Sequence, residues 1–162
     1  MLHSEFSISI QNRKEGLMRI LLSAVIMVLL TITVVSAGDI RLENSSFNTL
    51  AYIRDNGRIE NASFETLGYI REDGRIEDNS FHTLGYVKED GRIEDDSFNE
   101  LFTIETNGRL TDSRFMKIAE IQSDGTVEDD SFRVILYADG SHTNMIDRIA
   151  VFLVFFSDLL EE

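Results

Sequence analysis

Four tyrosines, Tyr52, Tyr69, Tyr86 and Tyr137, stand at one phase of a seventeen-residue period, and they are the side chains best suited to recognition. A tyrosine joins an apolar ring face to a polar tip, so a row of them can stack on sugar rings or on a partner's aromatics. The same positions also read as outward strand packing, because tyrosine favours strands. Three histidines could act as bases or ligands if a partner oriented them: His3, His82 and His142. His82 falls at a tolerant repeat position held elsewhere by Asn48, Glu65 and Asn99, which marks it as surface decoration. The Asp/Asn-rich corners Asp78-Asn79, Asp95-Asp96 and Asp129-Asp130 invite a calcium reading, since hard cations collect oxygens. No unit reproduces an EF-hand loop, however, and Asn61-Ala62 breaks the pattern, so turn chemistry is the stronger reading and no metal or cofactor is expected.

Enzyme motifs are absent: there is no glycine-rich phosphate loop, no Gly-x-Ser-x-Gly elbow and no His-Glu-x-x-His. The chain has no cysteine, which excludes disulfides, thiolate zinc sites and a lipidated cysteine. Formal charge is -14 over 162 residues, and the three basic against two acidic residues of 1–37 leave -15 for the remainder. Such a charge opposes nucleic acid and anionic membrane surfaces, both of which attract Lys/Arg clusters.

The elements that position these residues follow from the period. Phenylalanines stand at 47, 64, 81, 98, 115 and 132, and glycines at 57, 74, 91, 108 and 125, each glycine preceded by Asn, Asp or, at position 124, again Asp. A unit this short cannot bury its own apolar face, so copies must stack or close into a ring. Loop length sets the register. A two-residue Asp73-Gly74 turn would place Ile70 opposite Glu77. A three-residue loop, Glu72-Asp73-Gly74 with Gly74 left-handed in a bulged turn, places Ile70 opposite Ile76 instead. The same count pairs Ile53 with Ile59, Val87 with Ile93, Ile104 with Leu110 and Ile121 with Val127. It also sets Arg71 against Arg75 and Arg54 against Arg58 on the outward face, where their stems can splay toward Glu77 and Glu60. The Asp/Asn/Ser corners should cap their own backbone, with Phe81 anchoring its corner to the core. Ala51, Gly68 and Gly85 share the inward parity, which suits close packing near an axis.

Five full hairpins result, flanked by a second half-hairpin, "DIRLENSSF", and a first half, "RVILYADG", whose pairing would close the structure and remove its edges. After Gly140 the repeat stops. The apolar run "IAVFLVFF" within residues 145–160 must be covered, and it is expected to cap or plug the ring, with helix favoured over strand. At the other end, basic residues before "ILLSAVIMVLLTITVVSA" and the small residues of Val35-Ser36-Ala37 have the grammar of a signal peptide over residues 1–37. Cleavage would leave Gly38 first, with Met18 suspected as the initiator; the rival reading is a retained anchor.

The units "TLGYIREDGRIEDNSF", the opening "DIRLENSSF" and the ending "YADG" before "AVFLVFF" resemble the secreted bacterial proteins called five-fold β-flower proteins, from Gly38 to about Phe156. The resemblance implies an all-β ring of five hairpin petals, residues 38–162 forming one domain, and implies no activity. The chain departs from the repeat at Thr103-Ile104-Glu105, at Lys117 to Glu120 and in "SDLLEE", so a ring of identical sites would be broken there. The expected function is a secreted or periplasmic, non-catalytic structural or binding module whose partner is a glycan, peptide or envelope protein. The tyrosines are its candidate site, and neither nucleic acid nor, after cleavage, membrane is expected to bind. Alternatives are an accessory or inhibitor-like subunit of an envelope enzyme and a membrane-anchored envelope assembly protein.

Overall fold

The computed structural model describes residues 38–140, 142 and 144–160; residues 1–37, where a signal peptide is expected, and His3 among them, lie outside the described residues. Twelve short strands run in chain order: β1 (Ile40–Asn44), β2 (Thr49–Ile53), β3 (Arg58–Asn61), β4 (Thr66–Ile70), β5 (Arg75–Asp78), β6 (Thr83–Val87), β7 (Arg92–Asp95), β8 (Glu100–Ile104), β9 (Arg109–Asp112), β10 (Lys117–Ile121), β11 (Thr126–Asp129) and β12 (Val134–Asp139). One helix, α1 (Met145–Phe155), follows. Each strand is antiparallel to its neighbours, and β12 pairs with β1 to close a barrel.

The aliphatic pairs fix the register as the sequence predicts: Ile53 faces Ile59, Ile70 faces Ile76, Val87 faces Ile93, Ile104 faces Leu110 and Ile121 faces Val127. The chain ends supply one more pair, Leu42 with Ala138. Each strand thus gives one aliphatic to an inner belt, and most of these are fully buried. Five hairpins are continuous in the chain, and a sixth sector is assembled from β12 and β1; the two half-hairpins close the structure, as expected of them. Each sector joins the next through a bulge that skips one residue of the even-numbered strand, such as Leu67 between β3 and β4 and Leu50 between β1 and β2. An unpaired residue bends and twists its strand, which helps so narrow a sheet close on itself.

Helix α1 buries Ile149, Ala150, Val151, Phe152 and Leu153 in succession. Five consecutive positions span more than a full turn, so every face of the helix is covered there, as befits a plug within the lumen. The tail is therefore a helix rather than a strand. A Cβ on Gly68 would meet the Phe156 ring at 2.6 Å, and one on Gly85 the Phe155 ring at 2.7 Å. The inward glycines thus give room to the phenylalanines that follow the helix core, and at this point the sequence reading of close axial packing holds.

Candidate functional site

The repeat builds two kinds of corner, one at each end of the strands. At the glycine corners a three-residue loop closes as anticipated: Arg71 N–H donates to the Arg75 carbonyl at 2.8 Å, Gly74 N–H donates to the Arg71 carbonyl at 3.0 Å, and Gly74 has φ +81°. The phenylalanine corners have the same construction. Asp78 N–H donates to the His82 carbonyl at 2.9 Å, and Phe81 N–H donates to the Asp78 carbonyl at 3.1 Å. Phe81 occupies the left-handed position at φ +67°, and Phe47, Phe64, Phe98, Phe115 and Phe132 do the same between +60° and +65°.

This overturns the expectation that the phenylalanines anchor their corners to the core: all six are exposed, by 61 to 78%. The physical reason is the backbone. A left-handed corner residue in a bulged hairpin does not share the parity of the inner belt, so its ring goes to the outer wall. The corner is held by the preceding Asp or Asn, as the sequence analysis expects of the polar residues there. Asp78 Oδ1 accepts the N–H groups of Ser80 at 2.8 Å and His82 at 2.9 Å. Asn44, Asn61, Asp95, Asp112 and Asp129 do the same at the other five corners. In the pairs that suggest a cation site on paper, Oδ1 of Asp78, Asp95 and Asp129 accepts backbone N–H groups, and Oδ1 of Asn79, Asp96 and Asp130 accepts a serine hydroxyl. Those N–H donors hold Asp78, Asp112 and Asp129 below the usual carboxylate range, and for Asp95 the largest cause is the Asn99 side-chain amide.

The structure brings each candidate tyrosine to one of these phenylalanines. Tyr52 stacks on Phe64 (ring centroids 5.2 Å apart), Tyr69 on Phe81 (5.3 Å), Tyr86 on Phe98 (5.0 Å) and Tyr137 on Phe47 (4.8 Å), all within 18° of parallel. Basic side chains lie over three of the tyrosine rings: Arg71 at 4.5 Å from the Tyr69 centroid, Arg54 at 4.8 Å from Tyr52 and the Lys88 Nζ at 5.8 Å from Tyr86. Across the strand from these tyrosines sit Glu60, Glu77 and Glu94, each only 3 to 4% exposed. Arg71 Nε donates to Glu77 at 2.7 Å while Arg75 reaches its other oxygen at 3.2 Å; Arg54 and Arg58 flank Glu60 in the same way, and Lys88 and Arg92 flank Glu94. The like-charged arginine pairs foreseen from the register are thus resolved by a shared buried carboxylate.

The tyrosines, their outward parity and the reach of the arginines toward Glu60 and Glu77 are legible in the sequence, whereas the exposure of the phenylalanines and the burial of the glutamates are not. A signal for the phenylalanines exists: Phe81 stands three residues after Asp78, just as Gly74 stands three after Arg71, so both are the last residue of an equivalent loop.

Elsewhere, a cleft of about 580 Å³ opens between α1 and the glycine corners, lined in part by Asp55, Glu72, Asp73, Glu89 and Arg148. Its described lining holds no histidine, serine or threonine but includes Lys88 and Asp147, whose carboxyl is pushed above the usual range by burial. His142 is 11% exposed at the side chain and lies 3.6 Å from Asp55. Its Nδ1 accepts the Asn144 N–H, and burial, aided by Arg148, pushes its pKa down. His82 is exposed and touches only its own corner, Asp78. Among the described residues no helix is long and apolar enough to cross a membrane.

A closed antiparallel barrel of repeated hairpins with a helical plug defines the class: an all-β repeat protein bearing an aromatic outer wall. A family model described as 5-fold beta-flower protein matches residues 31–157, most of the chain, and the chain belongs to that family. No curated protein and no solved structure matches it.

Proposed function

We propose that this is a secreted or periplasmic, non-catalytic binding module that presents five continuous petals and a composite sixth to a neutral glycan of the cell envelope. One observation carries the reading: six phenylalanines are held exposed in a left-handed backbone. A left-handed position costs about 1–2 kcal/mol for a residue with a Cβ. A stacked aromatic pair returns about 0.5–1.5 kcal/mol. The stack offsets the strain where a tyrosine is present, but Phe115 and Phe132 keep the strain although Thr103 and Glu120 replace tyrosine. Exposed apolar rings in strained backbone, repeated around a wall, are a presentation of ring faces rather than a packing solution.

Charge favours a neutral ligand. The flanking Arg54, Arg71 and Lys88 are each paired to a buried glutamate, so they are not free to select an anion, and the -15 carried outside residues 1–37 repels one. Affinity electrophoresis of residues 38–162 through gels containing a β-glucan, a mannan or a xylan tests the proposal. Retardation by at least one polymer supports it; free migration through all three rejects it. Secretion is tested separately, by sequencing the N-terminus of protein taken from the native host, which should begin at Gly38.

A further inference from the structure

The stacks are not distributed evenly. In barrel order the sectors are β12–β1, β2–β3, β4–β5, β6–β7, β8–β9 and β10–β11. The four Tyr–Phe stacks belong to the first four, which are neighbours around the wall, and the two sectors without one are neighbours as well. In the bare sectors Thr103 and Glu120 stand at the tyrosine position, and Lys117 Nζ lies 4.2 Å from the Phe132 centroid, over the ring where a tyrosine would stack.

We propose that the four contiguous stacks form one curved track for a linear neutral polysaccharide, held at several petals at once. This rests on the glycan reading above and deepens it, by naming the ligand as a polymer and giving the site a direction and an end. The track covers four of six sectors of a closed barrel. A rigid globular partner approaches such a convex wall from one side and cannot reach all four, whereas a flexible chain can follow the curve. The stacks are built alike, with the same left-handed corner, the same ring spacing to within 0.5 Å and the same cross-strand acid, so they suit a ligand that repeats itself. Each stack alone offers a single pair of ring faces and no enclosing cavity, which predicts weak binding of a short sugar. Joining several such contacts through one chain raises the overall affinity by about 10²–10⁴ without any new contact.

The test compares a retained polysaccharide with its own oligosaccharides on the full domain, with circular dichroism melts to confirm folding of each variant. The polymer should bind on the order of 100-fold more tightly than a disaccharide or trisaccharide. Tyr52→Ala, Tyr69→Ala and Tyr86→Ala should weaken polymer binding cumulatively, each by several fold, while leaving the affinity for short sugars at the remaining stacks unchanged. Thr103→Tyr, which restores a stack on Phe115 at the end of the track, should tighten polymer binding. If polymer and short sugar bind equally, or if one Tyr→Ala variant loses as much as the triple variant, the track is wrong and a single-site glycan reading survives. If no sugar binds but a lysine-rich peptide does, through the open phenylalanine faces and the acidic surface, both the track and the glycan reading fall.

Discussion

The two rings of corners are made by the same backbone and filled by opposite residues. At the glycine corners the left-handed position is crowded: a Cβ on Gly74 would come within 2.2 Å of the Val87 carbonyl oxygen, and one on Gly108 within 1.9 Å of that of Ile121. Those carbonyls belong to the next hairpin, whose N–H at the same residue bonds back to the glycine, as Val87 N–H does to the Gly74 carbonyl at 2.8 Å. The glycine corners are therefore where one sector is fastened to the next, and glycine is required by space as well as by φ. At the opposite end the corners carry the largest apolar side chain available in the same conformation, exposed and stacked outward. One ring holds the barrel together while the other faces solvent.

The largest test removes what the glycine ring rests on. Met145 lies against Gly125, and Arg148 donates to the backbone carbonyls of Arg54 at 2.8 Å and Asp55 at 3.1 Å, so α1 is tied to that end as well as filling the lumen. Burying one large aliphatic or aromatic side chain contributes about 1.5–3 kcal/mol, and the helix buries Ile149, Val151, Phe152 and Leu153. Deletion of Met145 to Glu162 should abolish cooperative unfolding and give insoluble or dye-binding protein. A soluble truncation with an unchanged melting temperature would show that the plug is dispensable.

Next comes the steric contrast itself. Gly74→Val combines left-handed strain with a close backbone contact and should destabilise the domain by about 3–5 kcal/mol in denaturant unfolding. Phe81→Gly relieves the strain while losing the Tyr69 stack, so its effect on stability should stay within about 1 kcal/mol of zero. Phe115→Gly, with no tyrosine stack to lose, should stabilise by about 1 kcal/mol. If Phe81→Gly proved as damaging as Gly74→Val, the phenylalanine ring would be structural and its assignment to presentation would fail.

These contrasts also explain what was legible beforehand. The glycine corners could be read because a two-residue turn sets Ile70 against Glu77 and a three-residue loop does not; alternation with one buried face leaves little freedom. The closure could be read because two complementary half-hairpins flank five whole ones, although the five-fold ring expected from them did not count their pairing as a sector of its own. The phenylalanine corners were hidden by the rule that a recurring large apolar residue belongs inside, and a left-handed phenylalanine violates that rule together with the usual backbone preference. The burial of the glutamates was hidden because cover comes from tertiary neighbours, among them the two basic side chains that flank each one. The tail stayed ambiguous between helix and strand because eight apolar residues carry no clear period, and only the barrel lumen decides the matter.

The smallest effect separates the two rings by acid. Asp78, Asp95, Asp112 and Asp129 hold the phenylalanine corners with carboxylates below their usual range, whereas Asn44 and Asn61 do the same work without a charge. A carboxylate whose folded pKa is depressed stabilises the fold above its unfolded pKa, near 3.9, and that contribution is lost as pH falls through the lower folded value. Stability should therefore decline below about pH 4, with the stacked corners loosening as the barrel belt persists. Replacing all four aspartates by asparagine, the residue already used at positions 44 and 61, should flatten the dependence of melting temperature on pH in that window and lower the melting temperature slightly at pH 7, where the charged forms stabilise the fold. Asp90 and Asp124 of the glycine corners are depressed as well, so a residual slope should remain in the fourfold variant. An acid profile identical to that of the parent chain would mean that the phenylalanine corners do not depend on the charge of these carboxylates, and that their side-chain oxygens serve only as neutral acceptors of the corner N–H groups.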